Sequence, residues 1–278
     1  VRYYVRAYAI NERGISYSEA KQFYTPYEGD AANLSKNGTA NCYIVPVAYS
    51  KYVFDASVKG NSTEPVGKIA SVEVLWETRN DRNPINVGAV INPETVVLEG
   101  NNVHFELPFE PKPGNALIAV KDAMGTILWS WHIWVTDYDP VATQQTYISG
   151  AVMMDRNLGA LSMTLGDVRS FGLQYQWGRK DPFIGQGVYE YQYDHHAFTA
   201  PSDAISYEYY DSSNDSIENT VKNPTVAYND ARWNGATDLW GYKKTKYDPC
   251  PVGWRVSDYA AWEGIQRSGN ANRQYVEI

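Results

Sequence analysis

The run "ILWSWHIWV", Ile127 to Val135, constrains the fold of this chain more than any other stretch, because it places three tryptophans within six residues. On a β-strand successive side chains point to opposite faces. Ile127, Trp129, Trp131, Ile133 and Val135 therefore share one wholly apolar face, while Leu128, Ser130, His132 and Trp134 share a mixed one. Rings of this size bury large areas, and a continuous exposed apolar stripe invites association, so the first face reads as core. On the mixed face Trp134 and His132 are candidates for ligand contact, although packing by a second layer is the commoner use. Trp131 is accordingly expected to matter more to stability than Trp134.

Around this strand the sequence alternates in the same way. "CYIVPVA", "KYVFDASV", "KIASVEVLWE", "INVGAVI", "TVVLE", "NVHFELP" and "NALIAVK" are short β-type runs, nearly all separated by turn signals, and "DAMG" joins the last of them to the tryptophan strand. Many short strands without helical periodicity predict an antiparallel β-sandwich over residues 27–139. Before it, "VRYYVRAYAINERGISYSEAKQFYT" alternates, turns at Asn11 to Gly14 and alternates again, which predicts a hairpin over residues 1–26. A lone two-stranded hairpin is marginal, so it is expected to belong to a larger sheet or to dock on a neighbour.

After "TDYDPVATQQ" the composition changes. Residues 140–278 hold brief strand-like runs, "YISGAVMMD" and "GLQYQWG", between long polar segments. Near the end, Ser257 as N-cap, Asp258 in the first turn, Ala261, Trp262 and Ile265 at helical spacing and Gly269 as the stop predict a helix. The fold class expected is thus mainly β.

Composition narrows the function. A formal charge of -8 argues against a phosphate-backbone partner, so no nucleic acid is expected. With 23 Tyr and 9 Trp against 7 Phe, the aromatic content favours rings with a polar edge, which suit sheets and wet binding surfaces. No run reaches the roughly 18 apolar residues of a membrane span. The two cysteines, Cys42 and Cys250, fall in different predicted units and offer neither a disulfide framework nor a zinc site.

In the third region, "MDRNLGA", "YQWGRKDPF", "LWGYKK" and "YDPCPVGWRV", followed by a helix signal carrying Trp262, occur in an order that resembles the Fibrobacter succinogenes major paralogous domain, found in surface proteins of Bacteroidetes and Fibrobacteres. The resemblance covers Tyr147 to Ile278 and departs in two ways: Ser257 stands where a proline is usual, and the family's glycine- and tryptophan-rich C-terminal half is absent. It implies a fold similar to C-type lectin-like domains, here incomplete and α+β, and it brings no catalytic residue and no cofactor. The preceding β-region looks like the domain that accompanies this family in fimbrillin-type and adhesin-like proteins. The opening hairpin resembles the last strands of a fibronectin type III-like module, with Tyr3 or Tyr4 as its corner tyrosine.

Enzymatic motifs are lacking: there is no zinc-protease helix, nucleophile elbow, phosphate loop or dinucleotide fingerprint. His195 and His196 are adjacent and cannot both ligate one metal from a regular element. Asp137 and Asp139, and the stretch "DSSNDSIE" from Asp211 to Glu218, read as solvated turn carboxylates and match no calcium loop. Asp215 to Ile217 also resembles a Bacteroidales O-glycan acceptor. The binding candidates are tyrosines. Tyr189, Tyr191 and Tyr193 alternate along one extended segment, and Tyr207, Tyr209 and Tyr210 follow in the same aliphatic-poor stretch.

The function expected is that of a non-enzymatic, extracellular, outer-membrane-associated surface protein for adhesion or pilus assembly; the alternative is a carbohydrate-binding module of a glycan-uptake system. Its partner would be a host or bacterial surface glycan or protein. Unpaired sheet edges further predict added strands on both sides, supplied by the intact polypeptide or donated by a strand-complementing partner.

Overall fold

Alternating apolar residues produce strands throughout the computed structural model, which describes residues 2–24, 28–79, 84–164, 166–184, 206–208, 216–228 and 239–263. In chain order the strands are β1 (Arg2–Val5), β2 (Tyr8–Asn11), β3 (Gly14–Tyr17), β4 (Lys21–Tyr24), β5 (Ala32–Asn33), β6 (Cys42–Val45), β7 (Lys51–Asp55), β8 (Ser71–Thr78) and β9 (Pro84–Ile85). They continue with β10 (Asn92–Glu99), β11 (Asn102–Glu106), β12 (Gly114–Lys121), β13 (Ile127–Val135), β14 (Gln145–Thr146), β15 (Val152–Met153), β16 (Ser206–Glu208) and β17 (Val226–Tyr228). One short helix, α1 (Ile217–Lys222), lies among the described residues, and the protein is mainly β as its sequence predicts.

A four-stranded sheet, β10-β11-β7-β5, packs on a five-stranded one, β6-β13-β12-β8-β9. Most pairings are antiparallel, but the edge strands β5 and β6 run parallel to β7 and β13. The core between the sheets holds Tyr52, Phe54, Val103 and Phe105 from one side and Ile118, Trp129, Trp131 and Ile133 from the other. Phe54 meets Trp131 with ring centroids 5.1 Å apart. The apolar face of the tryptophan strand is therefore core, as expected.

Its mixed face is equally buried. Trp134 has no exposed surface and His132 1%, because residues from 154–164 and 166–184 cover this side of the five-stranded sheet. Trp76 and Leu117 pack there against Leu173, Phe183 and Ile184, and Cys42 and Trp134 against Tyr138, Met154 and Leu158. Burial holds His132 neutral, with its pKa pushed down to about 3, and its Nε2 lies 2.9 Å from Asn115 Oδ1. Neither residue can meet a ligand, which corrects that reading of the mixed face.

Polar links fix the covering segments to the sheet. Asn115 Nδ2 donates to Gly159 O at 2.9 Å, and Gly159 (φ +81°) sits so close that a Cβ would lie 2.6 Å from Leu173 Cγ. Asn41 accepts from Trp129 Nε1 and donates to the carbonyls of Lys246 and Asp248. α1 closes one end of the core with Ile217 and Val221. Its N-cap Ser216 accepts from Asn219 N at 3.1 Å, and Arg179, fully buried, donates to the carbonyls of Asn223, Pro224 and Val226 just beyond its C-terminus.

The run "INVGAVI" is not a strand beyond Ile85. It wraps instead around Glu77, whose carboxylate accepts from the backbone N–H of Gly88, Ala89, Val90 and Ile91. Burial pushes the Glu77 pKa up, against the pull of those four donors. Glu77→Gln replaces one acceptor oxygen by an amide donor facing N–H groups, and should cost about 1–3 kcal/mol in denaturant unfolding. A loss below about 0.5 kcal/mol would show that the loop does not depend on this carboxylate.

Residues 2–24 form two stacked antiparallel ladders, β1 with β4 and β2 with β3, offset by one residue where Arg6–Ala7 faces Ser18–Ala20. The hairpin predicted for this stretch is present. Every residue from Tyr3 to Lys21 is exposed.

Candidate functional site

Two irregular segments, rich in turn residues and poor in periodicity, face each other beside the sandwich. The first starts with β14 and β15, paired across a turn in which Tyr147 N donates to Ala151 O at 2.9 Å. It continues through Met154 to Leu158, which dip to the sheet. Asp155 pairs with Arg156 at 2.9 Å, and the guanidinium lies 3.9 Å over the Tyr138 ring. Burial first, then the Asp155 charge, pushes the Tyr138 pKa up to about 12.

The second wall is folded around an internal ion pair. Asp248, fully buried, accepts from Lys244 Nζ at 3.0 Å, from Cys250 N at 2.9 Å and from Val256 N at 2.9 Å. Lys244 also donates to the carbonyls of Cys250 and Trp254. These bonds hold the Pro251–Val256 turns in one shape. Beyond them Asp258, not Ser257, caps a 3-10 turn over Tyr259–Trp262, with its Oδ1 accepting from Ala261 N. Ser257 Oγ instead accepts from Trp262 Nε1 at 3.0 Å. In place of the longer helix predicted from Ser257, the described residues hold only this four-residue 3-10 turn, which ends at Glu263 in an extended conformation; Ile265 and Gly269 lie outside the described residues.

Between the walls runs an open trench of about 830 Å³. Met154, Leu158 and Cys250 line its depth, with Tyr147, Trp254 and Trp262 above them. Ser149 Oγ donates to Ala261 O at 2.7 Å, and Tyr147 meets Trp262 with centroids 6.3 Å apart, so the walls are joined at one end. The ion pairs Asp155–Arg156 and Arg255–Asp258 are formed in place; the Arg255 hydrogen bond holds the Asp258 pKa below the usual carboxylate range. A volume of this size lies within the roughly 300–1,000 Å³ of small-ligand sites, and apolar walls carrying a few fixed polar groups are their usual lining.

Reactive groups elsewhere are sealed. Ser130 Oγ, Lys180 Nζ and Asp181 Oδ1 form a triangle with each side 2.6 Å, and burial pushes the Lys180 pKa down to about 8. These are the atoms of a serine–lysine pair, yet all three residues are at most 2% exposed, so no substrate carbonyl reaches the hydroxyl. Cys42 and Cys250 are free, buried thiols whose pKa values burial pushes up, which keeps them protonated. Among the described residues no group of three or more His, Cys, Asp or Glu could hold a metal ion, and no helix is long and apolar enough to cross a membrane.

Of the tyrosines proposed as ligand contacts, Tyr207 lies on β16, paired in parallel with β17. Tyr189, Tyr191, Tyr193, Tyr209 and Tyr210, like His195 and His196, lie outside the described residues. Asp137 and Asp139 are exposed turn carboxylates that accept from Val47 N and from Val141 N and Ala142 N. The trench itself was not anticipated. The available signal was that "MDRNLGA" and "YDPCPVGWRV", two of the blocks that stand out in the sequence, lie on its opposite walls.

Fold and site together define a mainly β protein in which a two-sheet sandwich carries an irregular, trench-bearing layer. Comparison of the chain with protein-family models, with curated proteins and with solved structures finds no match.

Proposed function

We propose that this is a non-enzymatic protein of the bacterial cell surface, acting in adhesion or in assembly of a surface structure, and that the trench is its contact surface. The observation that carries the reading is the trench, with aromatic rings and preformed ion pairs around an apolar floor. Aromatic faces supply contact area at little entropic cost, and polar groups fixed before binding lose little freedom on contact. A carbohydrate-binding module of a glycan-uptake system is the second reading. It is favoured by Tyr147, Trp254 and Trp262 lining one trench, because sugar rings offer apolar faces to aromatic ones.

A glycan array separates the two. Binding of a defined glycan at micromolar strength, weakened about tenfold or more by Trp254→Ala, a change of roughly 1.4 kcal/mol, supports the module. Adherence to cells with no glycan bound supports adhesion, and neither response overturns both. Biotinylation of intact cells that carry the full polypeptide checks its placement: failure to label it overturns the surface reading.

A further inference from the structure

The chain has two cysteines, far apart in sequence, and the fold brings both to the base of the trench. Cys42 opens β6, the edge strand that runs parallel to β13, and is fully buried. With Trp134 and Tyr138 it forms a cluster packed against Met154 and Leu158. The same Met154 and Leu158 line the trench together with Cys250, which is 7% exposed at its floor. The backbone on either side is tied here: Asn41, next to Cys42, donates from Nδ2 to the carbonyls of Lys246 and Asp248, and Cys250 N donates to the Asp248 carboxylate. Electrostatics agrees. Burial pushes the Cys250 pKa up, the Asp248 charge adds to it, and so does the charge of Cys42, while Lys244 pulls both thiols down. Tyr175, whose hydroxyl is buried, is raised by burial and then by the charges of Cys42 and Cys250 alike. Two thiols that act on each other and on a common third group share one small volume.

A single buried cysteine would be no more than a small apolar side chain. A pair brought together from distant sequence, with no other cysteine in the chain to choose, is what a disulfide requires. We infer that Cys42 and Cys250 are the two ends of a disulfide bond that ties the edge strand β6 to the trench wall, and that the free thiols described above are its reduced form. The wall has need of such a tie, because the turns from Pro251 to Val256 join no sheet among the described residues. The bond closes as the chain folds, while both thiols are still solvated and near their ordinary pKa. The oxidant is a small disulfide. The Cys250 thiolate attacks one of its sulfurs and expels the other as a thiolate; the Cys42 thiolate then attacks Cys250 Sγ and expels the second. Two electrons pass to the oxidant, which takes up the two thiol protons and leaves as two thiols. The loop so closed takes in most of the chain, so the unfolded state loses freedom and the oxidised protein gains stability. Oxidising surroundings are all the bond needs, so the inference goes beyond the surface reading without resting on it.

The test folds the purified full chain in a mixture of oxidised and reduced glutathione, and separately in excess dithiothreitol. The first preparation, denatured and treated with iodoacetamide, should take up no label, and its unreduced digest should contain a peptide pair joining Cys42 to Cys250. The second should take up label at both cysteines. Reductant should lower the denaturant midpoint of the first preparation and leave that of Cys42→Ala/Cys250→Ala unchanged, which separates loss of the bond from any other effect of the reductant. Alkylation of both cysteines after oxidative folding, in protein whose circular dichroism matches the reduced preparation, overturns the inference. So does a disulfide found only between two chains or to glutathione.

Discussion

Trp131→Ala and Trp134→Ala are each expected to cost about 3–5 kcal/mol in equilibrium unfolding, the range for removing a large aromatic from a packed interior. Trp131 lies between the two sheets against Phe54. Trp134 lies on the opposite face of the same strand, with centroids 5.2 Å from Tyr138 and 6.3 Å from the near-parallel ring of His132. A two-sheet sandwich with nothing on its outer face would leave Trp134 in solvent, and its truncation would then cost little. Equal losses therefore test whether the irregular segments pack on the sheet in solution. A cost at Trp134 below about 1 kcal/mol, beside a full loss at Trp131, would show that they do not.

That outer layer is also where the sequence is hardest to read. The strands were legible because alternation has a period of two, and the inner face of β13 follows from it directly. The partner of the outer face is built from residues 154–164 and 166–184, whose contacts come from single residues such as Met154, Leu158, Leu173 and Phe183 spaced without a period. No window carries that signal. The failure at "INVGAVI" has a different cause: apolar alternation is present, but the buried carboxylate of Glu77 binds four successive N–H groups, and a ladder cannot use the same donors. α1 has a signal in the sequence, Ser216 ahead of Ile217, Thr220 and Val221 at helical spacing, but it is short and lies within a stretch dominated by Asp, Asn and Ser. For the trench, sequence order separates its walls by about a hundred residues. What brings them together is the Asn41, Asn115 and Asp248 bonding beneath them, which only the tertiary structure displays.

Lys180→Met is expected to cost about 3–5 kcal/mol, because it strands Asp181, 2% exposed, as a buried carboxylate with its ammonium partner gone. The ammonium now donates to Ser130 O, Ser130 Oγ and Asp181 Oδ1, and lies 4.5 Å from the centre of the Trp129 ring. The double variant Lys180→Met/Asp181→Leu should recover most of the loss, since apolar groups of similar volume commonly replace a buried ion pair without penalty. Acidity supplies an independent check. In the folded protein Lys180 titrates at about 8, below its ordinary 10.5. Between those values the unfolded chain holds more protons at this site than the folded one, so this lysine favours folding increasingly as pH rises through the window. Buried tyrosines and cysteines act in the opposite sense at alkaline pH, which is why the comparison must be between wild type and Lys180→Met at each pH. The stability gap between them should widen from pH 8 towards pH 10, and a gap that narrows would mean that Asp181 holds the lysine charged more strongly than burial discharges it.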